Sequence, residues 1–329
     1  MGIRVSGVGG YVPSKTMTNY ELAMMVDTSD EWITKKTGIR ERRIAAPEEA
    51  PSDMACQAAL RCLTQAGVDK AAVDLVIVAC ATPDQSQPAV ACMVQEKLGI
   101  AEHQCPAFDV NSVCAGFVFA LNVAQGMMLT DAARYRNVLV IGTDTFSKIL
   151  NWKDRTTCVF FGDGAGAVLL SHSDADERRF HFHLGSDGRG REFIAVPGGG
   201  TRLPVSPEVI EKRLNKFVMN GPRVWEFATN TVPETIRSLL SEHGLAPADL
   251  DLLILHQSNL RMLEAIMATL ELPMEKTITT IESYGNTAAA SIPLTLQKAW
   301  ETGRLRKGSR VMLCGFGGGL SWGAALFEW

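Results

Sequence analysis

Three side chains in this sequence have the types needed for covalent chemistry at a carbonyl: Cys114, His256 and Asn286. Cys114 lies in DVNSVCAGFVFALNVAQGMM, where a strand-like entry turns into a helix. The unpaired N–H groups and the dipole of a helix start favour thiolate over thiol, and thiolate is the nucleophile. Cys114 is therefore expected to ionise well below the free-thiol value of about 8.5. The other seven cysteines, at 56, 62, 80, 92, 105, 158 and 314, read as small buried hydrophobes. His256 ends the apolar run Leu252–Leu255, and strand ends are where sites form in α/β sheets. Asn286 enters a second helix in ESYGNTAAASIPLTLQKAW. Histidine and asparagine side chains both donate hydrogen bonds to an oxygen that gains negative charge. The run Gly315-Phe316-Gly317-Gly318-Gly319 would let backbone approach the same centre with an N–H exposed, or form a tight turn between strands.

These residues need a scaffold that brings positions 114, 256 and 286 together, and the sequence supplies one by repetition. A helix end, a glycine, a turn and a buried strand run from Gly67 to Val78 and again from Gly244 to Leu255. Gly67 and Gly244 are 177 residues apart, as are Asp74 and Asp251. Val138–Gly142 resembles Val311–Gly315 at an offset of 173, which maps Thr287 onto Cys114. The short apolar runs predict strands covered by helices on both faces. The division expected is 1–172 and 173–329, with the polar run Ser173–Arg179 as a connecting turn. The glycine-rich segments GSDGRGREF and PGGGTRLP mark 185–222 as an excursion of the lid or partner-surface kind. Small residues on both helix starts would let them meet at the centre. Gly162-Asp163-Gly164-Ala165-Gly166 fits no phosphate-binding motif and reads as structural.

Composition removes other classes. The 329 residues are 46% hydrophobic and 21% charged, which excludes a disordered chain. The net charge is −4, from 32 basic and 36 acidic residues without a basic stripe, so no nucleic acid is expected. No run of 18 apolar residues occurs, so no membrane span is expected. No cysteine–histidine cluster of zinc type is present, and no metal is expected. Eight cysteines without a disulfide-like spacing fit a reducing cytoplasm.

Six segments, taken in order, resemble one family. They are TSDEWITKKTGIRERRIA (28–45), DVNSVCAGF (109–117), DRTTCVFFGDGAGAV (154–168), LHQSNLR (255–261), YGNTAAASIP (284–293) and GFGGGLSWGAAL (315–326). The chain is similar over its whole length to the β-ketoacyl-acyl carrier protein synthase III family of the thiolase superfamily. The resemblance implies an α/β thiolase fold of two similar halves in α-β-α-β-α layers, as a homodimer. It implies Cys114, His256 and Asn286 as the catalytic set, with an oxyanion hole from the backbone N–H groups of Cys114 and Gly318. Acyl-CoA and a malonyl thioester, on CoA or an acyl carrier protein, are the implied substrates, with no permanently bound cofactor.

By the same resemblance, Trp32, Lys36, Arg155, Met219, Gly221 and Asn259 are expected along the CoA and pantetheine path. Arg261 is expected to meet the carrier protein, and Gln87 to reach the acyl pocket of a second copy. Four departures bear on these roles. Lys36 replaces an arginine, Pro222 an asparagine and Gln87 an aromatic, while Glu226, Ala268 and Thr269 stand where relatives place lysines. Gln87 predicts a longer or more polar acyl pocket, and the thin basic patch predicts weaker pull on an acidic carrier. The function implied is decarboxylative condensation in fatty-acid or specialised-metabolite synthesis. The alternatives are acyl transfer to an alcohol or amine without condensation, and a non-catalytic thioester-binding subunit. Intact Cys114 argues against the latter.

Overall fold

The computed structural model describes residues 2–173 and 178–329. The expected connecting turn at Ser173–Arg179 therefore falls largely outside the described residues. The first half contributes β1 (Gly2–Tyr11), β2 (Thr16–Thr18), β3 (Glu41–Arg43), β4 (Leu75–Ala79), β5 (Ala107–Val110), β6 (Asn137–Asp144) and β7 (Gly164–Ser173). The second contributes β8 (His181–Ser186), β9 (Ile194–Ala195), β10 (Val218–Met219), β11 (Leu252–Leu255), β12 (Arg310–Gly317) and β13 (Ser321–Glu328).

Two main sheets result. The first runs β1-β7-β6-β4-β5, and the second runs β8-β13-β12-β11. The order and strand directions match: β4/β6 and β11/β12 are parallel, and the pairings onward to β1 and β8 are antiparallel. Among the described residues, β5 alone lacks a counterpart in the second sheet.

The matched aspartates have one job. Asp74 Oδ2 accepts from the N–H groups of Arg136 (2.9 Å) and Asn137 (2.8 Å), clamping the start of β6 to that of β4. Asp251 Oδ2 accepts from Arg310 N–H (2.8 Å) at the start of β12.

Strand residues alternate between cores, as a period of two requires. Leu75 and Ile77 enter the central core with Leu252, Ile254, Val311 and Leu313. Val76 and Val78 face an outer core that includes helix Pro51–Ala66, and Leu253, Leu255 and Met312 face the other. The helices Gly116–Thr130 and Ser291–Glu301 lie between the sheets, and helices Gly221–Glu242 and Leu260–Thr269 cover the second sheet outside. This is the five-layer α-β-α-β-α thiolase arrangement. The segment Val113–Thr130 is long and apolar enough to cross a membrane, contrary to expectation, but half of it is buried inside the protein. A helix apolar on all sides is what a layer between two sheets needs.

The helix starts meet at the centre, but with a different correspondence from the expected one. Each opens with one 3-10 turn, Val113–Ala115 and Ala288–Ala290. Each turn begins at a left-handed residue, Val113 (φ 46°) and Ala288 (φ 49°). Cys114 thus corresponds to Ala289, not to Thr287. The reason is length: from turn to following strand the second half is two residues shorter, so the strand offset does not carry back to the helix start.

Two features permit this approach. A Cβ on Gly142 would lie 2.2 Å from the Ala289 carbonyl oxygen. Beside it, fully buried Asp144 accepts from Ala81 N–H (2.9 Å), Thr82 N–H (3.0 Å) and Thr82 Oγ1 (2.8 Å) in its own half, and from Ala289 N–H (3.0 Å) in the other. Asp163 is also a brace, accepting from Ala45 N–H (2.8 Å) and Ser147 N–H (2.9 Å), which bears out the structural reading of its glycine run. Of the expected 185–222 excursion, Gly185 and Ser186 instead complete β8 against β13, and Gly221 and Pro222 open helix Gly221–Glu242; the stretch between carries the β9/β10 pair and a short helix, Pro207–Glu211.

Asp144→Ala strands several buried N–H groups at once, so it should destabilise the protein by about 3 kcal/mol. The denaturant midpoint measures this, and an unchanged midpoint would remove Asp144 as the tie between halves.

Candidate active site

Cys114, His256 and Asn286 all line one cavity of about 640 Å³. Cys114 occupies the turn that opens helix Gly116–Thr130 and is 6% exposed. Its neighbour across the seam is Gly317, where a Cβ would lie 2.9 Å from Cys114 Cβ and 3.2 Å from its sulfur. Any side chain at 317 would collide with Cys114. Gly318 is turned towards Ile194, which its Cβ would meet at 3.2 Å.

His256 follows directly on β11, and its N–H donates to the Cys314 carbonyl (2.8 Å), extending the ladder by one residue. The imidazole is 2% exposed and stands edge-on to Phe316, with centroids 5.2 Å apart. Nδ1 is 2.7 Å from the Ser291 hydroxyl, which leaves Nε2 for the cavity. Asn286 is held through its backbone: its N–H donates to Phe160 O (2.8 Å), and its carbonyl accepts from Gly162 N–H (3.1 Å). Its Oδ1 accepts from Ala288 N–H (2.9 Å). The amide NH₂ is the end left to donate. The site thus presents an imidazole nitrogen, an amide NH₂ and a sulfur.

Burial sets the charge states. It pushes the Cys114 thiol well up, and the Asp144 charge adds to this, while the helix-start N–H acts in the opposite direction. The expected low value is therefore not met: desolvation outweighs the helix start, and Cys114 rests as a thiol. Burial alone lowers His256 to about 3, so its imidazole is neutral. Asp144 is raised to about 6 by its burial, against four hydrogen bonds that hold it down.

The residues expected to bind CoA are only partly assembled. Trp32 and Lys36, on helix Asp30–Thr37, line the cavity with Met219, Gly221 and Asn259. Pro222 lines it as well. Asn259 Oδ1 caps helix Leu260–Thr269 by accepting from Arg261 N–H (2.9 Å). Arg155 sits over the Trp32 ring at 5.5 Å and donates to the Asp27 carbonyl (2.9 Å). This contact takes up the space that a flat base between them would need, so binding one there must part the two.

Arg261 is paired with both oxygens of Glu264 (2.8 Å each) and donates to Lys35 O (3.2 Å). Glu226 is likewise engaged by Arg223 (3.1 Å). Gln87 is exposed on the loop before helix Val90–Lys97 and does not line this chain's cavity.

Sequence reasoning missed three features. Phe146, Phe161 and Phe217 stack and cross at centroid distances of 4.7–5.4 Å to wall the cavity beside Cys114. A phenylalanine in an apolar run gives no sign that one face meets a ligand. Gly317 was read only as part of a glycine run. Ser291 was read only as a small residue, although its place five after Asn286 at a helix start was a usable signal.

Comparison with known proteins agrees with this geometry. The sequence model of 3-oxoacyl-[acyl-carrier-protein (ACP)] synthase III matches residues 108–188, and that of its C-terminal part matches 240–329. The β-ketoacyl-[acyl-carrier-protein] synthase III of Caldanaerobacter subterraneus is 43% identical over 325 residues, covering 99% of this chain and 97% of the relative. That of Roseiflexus castenholzii is 45% identical, with 99% and 97% covered. Among solved structures, 3-oxoacyl-[acyl-carrier-protein] synthase III from Aquifex aeolicus superposes with a TM-score of 0.91 at 36% identity, covering 100% of both chains. The priming β-ketosynthase of the R1128 polyketide pathway superposes at 0.88 with 33% identity, covering 99% of this chain and 96% of that one. With this likeness running the full length of the chain, and with Cys114, His256 and Asn286 gathered on one cavity, the protein belongs to the β-ketoacyl-acyl carrier protein synthase III family.

Proposed function

We propose that the chain catalyses a decarboxylative Claisen condensation between an acyl-CoA primer and a malonyl thioester. The observation that carries this reading is the pair of neutral polar groups, His256 Nε2 and the Asn286 amide NH₂, left unspent on the cavity that holds Cys114. A hydrolase or a simple acyl carrier needs the sulfur. Two further donors serve a second oxyanion, the enolate.

In the first stage the Cys114 sulfur attacks the thioester carbonyl of acyl-CoA. The backbone N–H groups of Cys114 and Gly318 are assigned to the oxyanion. The bond to the CoA sulfur breaks, and CoA leaves as a thiol carrying the proton that Cys114 gives up. In the second stage the malonyl thioester places its carbonyl oxygen on His256 and Asn286. The bond to the carboxylate breaks, carbon dioxide departs, and the electron pair enters the enolate. The enolate carbon then attacks the acyl-cysteine carbonyl, the carbon–sulfur bond breaks, and Cys114 takes a proton back from solvent. Hydrogen bonds of this kind strengthen in a site that excludes water.

The cavity supports CoA or pantetheine along Trp32, Lys36, Met219, Gly221 and Asn259, with Arg155 over the base. The names of the relatives support an acyl carrier protein as a partner, approached through Arg261. Its pairing with Glu264 leaves the weak basic surface expected above. A homodimer is supported by β5, a half-buried edge strand able to pair with a second copy. Gln87, exposed in one chain, is then assigned to the partner's acyl pocket and favours primers larger than acetyl. Eight free thiols support a reducing cytoplasm.

Cys114→Ala should abolish transfer of the acyl group to protein, read by intact mass after incubation with acyl-CoA. His256→Ala and Asn286→Ala should keep that mass gain but release labelled carbon dioxide about 10²–10³-fold more slowly. Condensation at the parental rate in His256→Ala would sink the reading. So would acyl transfer to an added alcohol or amine with no carbon dioxide released.

The second expectation concerns pH. The folded His256 lies near 3 against an ordinary 6.5, so the unfolded chain takes up this proton first. Stability should fall as pH drops from about 6.5 towards 3, and His256→Gln should flatten that slope. The condensation rate should show no ionisation of His256 between about pH 5 and 9. A pH titration of the His256 ring nitrogens by NMR checks this, and a midpoint near neutrality would contradict it.

A further inference from the structure

Resting on that function, we infer that Ser291 is a positioning residue that locks His256 in the tautomer with the proton on Nε2. A neutral imidazole carries one N–H, and which nitrogen holds it is set by the partner of the other. The partner here is the Ser291 hydroxyl, 2.7 Å from Nδ1. Ser291 is fully buried at the first position of helix Ser291–Glu301. Among the described residues, His256 Nδ1 is the only acceptor placed for its hydroxyl proton. A serine proton pointed at Nδ1 requires Nδ1 to be bare. The ring proton must then sit on Nε2, facing the cavity.

The alternative tautomer fails twice. It would leave the buried serine proton without an acceptor, and it would turn a lone pair towards the oxygen that becomes the enolate. Both cost free energy for groups buried this deeply.

The serine is itself fixed from behind. Its carbonyl accepts from Thr295 Oγ1 (2.7 Å), which is bonded to Thr280 Oγ1 (3.0 Å). Thr280 N–H donates to Gln257 Oε1 (2.9 Å), and Gln257 Nε2 donates to Leu255 O (2.8 Å). The chain of bonds thus returns to the strand end that carries His256. Helix start and strand end are tied on both sides of the imidazole.

The test uses full-length enzyme with ¹⁵N-labelled histidine, in which His256→Gln identifies the signal. Wild type should show a protonated Nε2 and a bare Nδ1. Ser291→Ala should give mixed tautomers and slow carbon dioxide release by about 10–100-fold, with acyl loading of Cys114 unchanged by mass. Ser291→Thr, which keeps the hydroxyl, should restore both. A proton on Nδ1 in wild type would overturn the inference, as would Ser291→Ala with parental tautomer or parental carbon dioxide release. If Ser291→Ala does not fold, the wild-type spectrum still decides. Failure of the function itself reads out separately, as His256→Ala condensing normally, whatever Ser291 does.

Discussion

The structure depends on one close contact: two helix starts pressed together where the halves of the molecule meet. Neither turn could come so near if Gly142 carried a side chain. Nor could the interior hold the Ala289 N–H of one turn without Asp144, whose carboxylate also takes bonds from Ala81 and Thr82 in its own half. Cys114, the residue proposed as nucleophile, sits in one of these turns. The asparagine that faces the same cavity lies two residues before the other turn. The chemistry is therefore assembled by the packing of the halves, and no single element carries it.

The same burial governs the electrostatics. It keeps Cys114 a thiol and His256 uncharged at rest. A charged imidazole in this interior would demand a counter-ion, and among the described residues none acts on the ring. Instead it offers aimed neutral dipoles. Such donors need no rearrangement when charge develops and gain strength from their burial. At Cys114 the helix start and burial act in opposite directions, and burial is the larger effect.

Much of this was legible in the sequence. Apolar runs gave the buried strands, and the spacing of Gly67 with Asp74 and of Gly244 with Asp251 gave the duplication. A residue alone at the end of a strand, His256, and two at helix starts could be found because local pattern marks such places. What stayed hidden depends on contacts between distant segments. Thr287 was matched to Cys114 because a count of residues cannot show that one unit is two shorter. Phe146, Phe161 and Phe217 come from three separate stretches, and nothing local joins them. Arg155 over Trp32, and Arg261 spent on Glu264, are likewise matters of side-chain placement that no motif encodes.

The correspondence of Cys114 with Ala289 has a consequence for how the two halves are used. Duplication made two equal seats at the centre, and only one holds sulfur. The other holds a methyl group whose N–H is spent on Asp144. A bulkier group there would push the seam apart, whereas a smaller one in place of Cys114 would leave the seam closed and the enzyme idle. One half has thus become the tool and the other its vice. The two positions answer to opposite demands, reactivity at 114 and inertness at 289, although the same backbone turn presents both.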